Sequence, residues 1–65
     1  MTAIARQVMN YDDLRDAYLR ALLTWESMIL DGDHEGAAVV RMRVINLRGR
    51  AETAKVTLSA HGVEV

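Results

Sequence analysis

The chain has 65 residues, 51% hydrophobic and 26% charged, with a formal net charge of −1 and neither cysteine nor proline. That length allows one domain at most, the apolar share is too high for a disordered segment, and the missing cysteine excludes disulfides and thiolate metal sites. A net charge near zero removes any bulk attraction to nucleic acid or to an anionic membrane surface.

Residues 1–9 (MTAIARQVM) carry Ile4, Val8 and Met9 without a strong capping signal, and read as an N-terminal arm or a short helix ahead of a single domain over 10–65. They lack the apolar core of a secretory signal, and no apolar run in the chain approaches the roughly 20 residues that span a bilayer. The expected location is therefore the cytoplasm, with no membrane partner.

Helix signals begin at Asn10, a good N-cap, followed by Asp12 and Asp13 in the first turn, where carboxylates meet the positive end of the helix. Tyr11, Leu14, Tyr18, Ala21, Trp25 and Met28 then recur in steps of three and four, the spacing that puts residues on one helix face. Leu19, Leu22, Leu23, Ile29 and Leu30 form a second apolar set. Only a narrow stripe is polar (Asp13, Asp16, Arg20, Thr24, Ser27, Asp31), and Gly32 stands where a C-terminal cap belongs. The spacing predicts a helix over about 10–31 that is too apolar to be covered on one side alone.

After a turn at 31–33, the apolar positions Ala37, Val40, Val44, Leu47, Ala51, Ala54 and Leu58 keep steps of three and four without interruption. Asp33 can cap a helix over about 34–61, Glu35 supports its first turn, and Gly62 can end it. Gly49 is a candidate break, at about 1 kcal/mol relative to alanine inside a helix. The alternative is α+β, one helix followed by a β-hairpin, since Val40, Met42 and Val44 alternate with arginines and Val56 with Lys55 and Thr57. Period two fails at Ile45-Asn46-Leu47, so the helical reading is preferred.

The fold class expected is thus all-α, an antiparallel helical hairpin in which Asp16 approaches Arg48 and Asp12 or Asp13 approaches Arg50. Two helices make a thin core for so short a chain. With disulfides excluded, and with His34 and His61 too far apart in sequence to suggest a metal site, self-association is the remaining staple. The hairpin is expected to form a homodimer as a four-helix bundle.

Catalytic constellations are missing. Ser27 and Ser59 lie outside any nucleophile-elbow setting, no phosphate-binding glycine loop exists, and a helical hairpin offers little concave pocket. No enzyme activity, cofactor or metal is expected. The Asp31, Asp33, His34, Glu35 cluster reads as a solvated turn and cap, because consecutive residues rarely converge on one ion.

Candidate partner-binding residues are Trp25 and Met28, for their hot-spot and adaptable character, and Arg43 and Arg50, which share one helix face. Arg41, Arg48 and Lys55 share another face, and no aromatic residue interleaves with these cations in sequence to make a base-stacking platform. Candidate core or dimer residues are Leu14, Tyr18, Leu22, Trp25, Ile29, Val40, Val44, Leu47 and Leu58. The function expected is a small protein-binding module, homodimeric, of the kind that bacteria and their phages use to modulate or inhibit a larger protein. The alternative is a nucleic-acid-associated regulator acting through the Arg41–Lys55 strip.

Overall fold

A computed structural model describes residues 2–65 and contains two helices, α1 (Ala3–Leu30) and α2 (His34–Ala60), with no strand among the described residues. The all-α hairpin is therefore the fold, and the β-hairpin alternative for the second half is set aside. The reason is visible at the point where the two periods diverge. Val44 and Leu47, three residues apart, both turn toward α1, which a strand of period two cannot arrange.

Helix α1 starts well before Asn10. Thr2 is its N-cap, with backbone in the extended region and Oγ1 accepting the Ala5 N–H at 3.1 Å. Nothing between Ala3 and Asn10 breaks a helix, and Gln7 and Val8 are half-buried along the line that Tyr11 and Leu14 continue. The expected arm is thus the first two turns of one 28-residue helix, and Asn10 is an exposed interior position. Helix α2 likewise runs unbroken through Gly49, and a Cβ placed on that glycine would meet nothing within 4 Å.

The connection is built from Asp31, Gly32 and Asp33. Gly32 takes φ +79°, the left-handed conformation that costs a glycine nothing. In this geometry the N–H of Asp33 donates to the Met28 carbonyl (2.9 Å) and that of Gly32 to the Ile29 carbonyl (3.1 Å), so two orphan carbonyls of α1 are satisfied. Asp33 then caps α2, its Oδ1 accepting the Gly36 N–H at 3.0 Å. A side chain at Gly36 would collide with that carboxylate. The far end of α2 repeats the motif, with Gly62 at φ +78° and the Val63 N–H donating to the Leu58 carbonyl at 3.0 Å.

The core is a single seam. On α1 the half-buried or buried line is Gln7, Tyr11, Leu14, Tyr18, Ala21, Trp25 and Met28; on α2 it is Ala37, Val40, Val44, Leu47, Ala51, Ala54 and Leu58. Both are heptad-like rows of steps three and four, which antiparallel helices interdigitate. Among the described residues only Ala21, Ala37, Leu47 and Leu58 are buried, and Leu58 alone is fully so, at 0% exposure.

The molecule measures 44 × 17 × 15 Å, one helix length by two helix diameters. Its radius of gyration is 14.3 Å, against about 11 Å for a compact 65-residue domain. Its accessible surface is 5024 Å², against roughly 4,200 Å² for a compact monomer of this mass. The hairpin is one layer thick, so among the described residues no side chain off the seam is fully buried.

The cross-helix ion pairs expected from sequence do not form. Among the described residues the one ion pair is Arg48 Nε to Glu52 Oε1 at 3.5 Å, one turn apart on α2. Asp12, Asp13 and Asp16 are exposed on positions that α1 turns away from the seam, out of reach of Arg48 and Arg50.

Candidate interaction surfaces

Two long grooves flank the seam, one on each side of the hairpin, because two cylinders in contact leave a furrow along both edges. The larger, of about 740 Å³, is lined by Gln7, Asn10 and Leu14 from α1 and by Arg50, Ala54 and Thr57 from α2, and it extends over the bare backbone of Gly49. Its continuation toward the turn is the shallow furrow of Arg20, Thr24, Val40 and Arg43. This side combines small and polar side chains with Leu14 and Ile45. The hydroxyls of Thr24, Thr53 and Thr57 each donate at 3.0 Å to the carbonyl four residues earlier, so they are engaged within their own helices. Gln7 Oε1 is buried here without a hydrogen-bond partner.

The opposite groove, about 290 Å³, has a different chemistry. Tyr11, Arg15, Tyr18 and Leu19 line it from α1; Arg48, Ala51, Glu52 and Lys55 line it from α2. Three cations thus meet one carboxylate, and that carboxylate is already engaged with Arg48. Tyr11 and Tyr18 are half-buried by the seam, and they stand beside the cations that the sequence keeps far from any aromatic residue. The two tyrosines and the basic residues are contributed by different helices, so no reading of one stretch at a time could join them.

The candidate partner residues divide accordingly. Arg43 and Arg50 are exposed and lie along the side of the larger groove, and Arg48 and Lys55 lie along the other, so the basic strip of the sequence is split between two sides of the hairpin. Trp25 and Met28 are half-buried in the seam. Of the nine candidate core or dimer residues, Leu47 and Leu58 are buried; Leu14, Tyr18, Leu22, Trp25, Val40 and Val44 are half-buried; and Ile29 remains exposed, outside the intramolecular core.

Beyond the grooves, apolar side chains stand in solvent. Leu19, Leu23, Ile29 and Leu30 on α1 and Val39, Met42, Ile45 and Val56 on α2 are all exposed, Leu30 reaching 81%. On α1 they are the second apolar set legible in the sequence. On α2 they were hidden by their neighbours, since Met42 and Val56 sit seven residues to either side of Gly49, on the row opposite the seam.

Among the described residues, no three His, Cys, Asp or Glu side chains gather where a metal ion could be held, and no helix is long and apolar enough to cross a membrane. No protein-family model matches the chain, and no curated protein or solved structure matches it at a significant level.

Proposed function

We propose that this protein is a small non-enzymatic interaction module, a homodimer that modulates or inhibits a larger protein by binding it, of the accessory kind found in bacteria and their phages. The observation that carries this reading is the balance of apolar groups. Eleven large hydrophobic side chains are exposed among the described residues while four apolar residues are buried. Exposed apolar side chains in this number, beside so small a core, are the kind of surface that marks association sites.

The second copy covers the apolar outer face of α1 around Leu23 and Leu30, completing a four-helix bundle. Its two-fold symmetry makes the contact self-complementary. The target takes a remaining face. The basic residues are divided between two sides of the hairpin, so neither side carries the whole strip that a linear reading offers to phosphates, which favours a protein target over nucleic acid.

A tagged pull-down from bacterial lysate, with and without nuclease, tests the module. A discrete protein partner that survives nuclease supports it; recovery of nucleic acid alone, or loss of every partner after nuclease, overturns it. Light scattering tests the dimer separately, and a cooperatively folded chain that stays monomeric at high micromolar concentration contradicts it.

A further inference from the structure

We propose that the groove lined by Tyr11, Arg15, Tyr18, Arg48 and Lys55 is the docking site for an acidic amphipathic helix of the target protein. The inference rests on the reading of the chain as a protein-binding module and names the chemistry of the segment it binds.

The first support is charge. Three cations line this groove and the single carboxylate lining it, Glu52, is paired with Arg48 at 3.5 Å, which leaves Arg15 and Lys55 without a carboxylate partner among the described residues. The chain as a whole carries a net charge of −1, so this excess of positive charge is local. A groove with a local excess of positive charge attracts an anionic partner.

The second support is shape and period. Arg48 and Lys55 are seven residues apart on α2, about 10.5 Å at 1.5 Å per residue, and Arg41 repeats the step toward the turn. Tyr11 and Tyr18 are seven apart on α1 and run antiparallel to them. Two rows of equal pitch on either side of an open furrow match a third helix laid along it, which reads its partners at the same heptad interval.

The third support is the floor of the groove. Ala51 and the half-buried rings of Tyr11 and Tyr18 form it, with Leu19 at the edge where it meets the outer face of α1. Such a floor accepts an apolar stripe, and the cationic rims accept carboxylates on both flanks of that stripe. Tyr11 and Tyr18 are half-buried, which limits base stacking on them and favours an acidic helix over a single nucleic-acid strand.

Binding is tested by fluorescence anisotropy with three labelled probes. These are a three-heptad peptide with leucine along one face and glutamate at the flanking positions, the same peptide with lysine replacing glutamate, and an oligothymidylate. The protein is the full chain, compared with Arg15→Gln/Arg48→Gln/Lys55→Gln and with Arg43→Gln/Arg50→Gln, whose altered residues line the other side. The glutamate peptide is expected to bind the unaltered chain and the Arg43/Arg50 variant alike, at least tenfold more weakly to the triple variant, and progressively more weakly as salt rises.

Equal binding of the glutamate and lysine peptides, undiminished binding to the triple variant, or no binding of the glutamate peptide each overturns the proposal. Binding of the oligothymidylate through the same three residues overturns it too, in favour of a nucleic-acid groove. All three residues are exposed, so the triple variant is expected to keep its helicity by circular dichroism. Should it unfold, the salt dependence on the unaltered chain and the single variant Lys55→Gln answer the same question.

The module reading fails separately. A protein captured in the nuclease-treated pull-down that still binds the triple variant leaves the module standing and removes the groove; absence of any captured protein removes the module itself.

Discussion

The guanidinium of Arg48 lies 3.5 Å from the carboxylate of Glu52 on its own helix rather than against Asp16 on the other. Both side chains are about two-thirds exposed, and a solvated pair one turn apart stabilises a helix by only about 0.3–0.5 kcal/mol. Among the described residues the two helices are therefore joined by their seam, with no ion pair between them. Arg48→Gln should lower the unfolding free energy measured in urea by less than about 0.5 kcal/mol, and a larger loss would mean that Arg48 holds the hairpin together in solution by a contact the structure does not contain.

Leu58, near the C-terminal end of α2, is the one fully buried large side chain among the described residues. Leu58→Ala should cost about 2–5 kcal/mol, enough to unfold much of a chain this small. Leu30→Ala, at a position 81% exposed, should change the stability of the isolated hairpin by less than about 0.5 kcal/mol. Denaturation followed by far-UV circular dichroism at low protein concentration compares the two, and equal effects would contradict the assignment of the core to the seam.

Two glycines inside α2 should respond to alanine in opposite ways. Gly49 faces open space, so Gly49→Ala should raise stability by about 1 kcal/mol through helix propensity. At Gly36 the same change drives a methyl group into the Asp33 carboxylate that caps the helix. Loss of that cap, about 1 kcal/mol, offsets the gain, and Gly36→Ala should bring no stabilisation. Thermal melts of both variants decide the matter. A Gly49→Ala protein that is less stable than the parent would show that another chain approaches the bare backbone at that point.

The proposed dimer can be tested through the outer face of α1. Leu23→Asp/Leu30→Asp places two charges on the outer face of α1 without touching the seam. In sedimentation velocity this variant should run as a helical monomer while the parent runs as a dimer. If both sediment as dimers, association uses another face, and Met42→Asp/Val56→Asp on the outer row of α2 becomes the informative variant.

Most of the fold was legible because heptad rows and caps are local. Tyr11 to Met28 and Ala37 to Leu58 could be read as two facing seams from their spacing alone, and Gly32 and Gly62 announced the ends of helices by their freedom to take positive φ. The start of α1 was less legible. Residues 1–9 carry no strong capping signal beside Asn10, and it is the Thr2 Oγ1 contact with the Ala5 N–H, together with the half-burial of Gln7 and Val8, that shows where the helix begins.

By itself, then, the sequence determined the class of structure, two amphipathic helices joined by a capped glycine turn, since periodicity, propensity and capping act over a few residues. The tertiary structure decided which charges meet. It turned Asp12, Asp13 and Asp16 away from the arginines, divided the basic strip between two sides, and set Tyr11 and Tyr18 beside Arg48 and Lys55. Those juxtapositions depend on the register and rotation of one helix against the other, and both are set by how the apolar seam packs, which no single stretch of sequence contains.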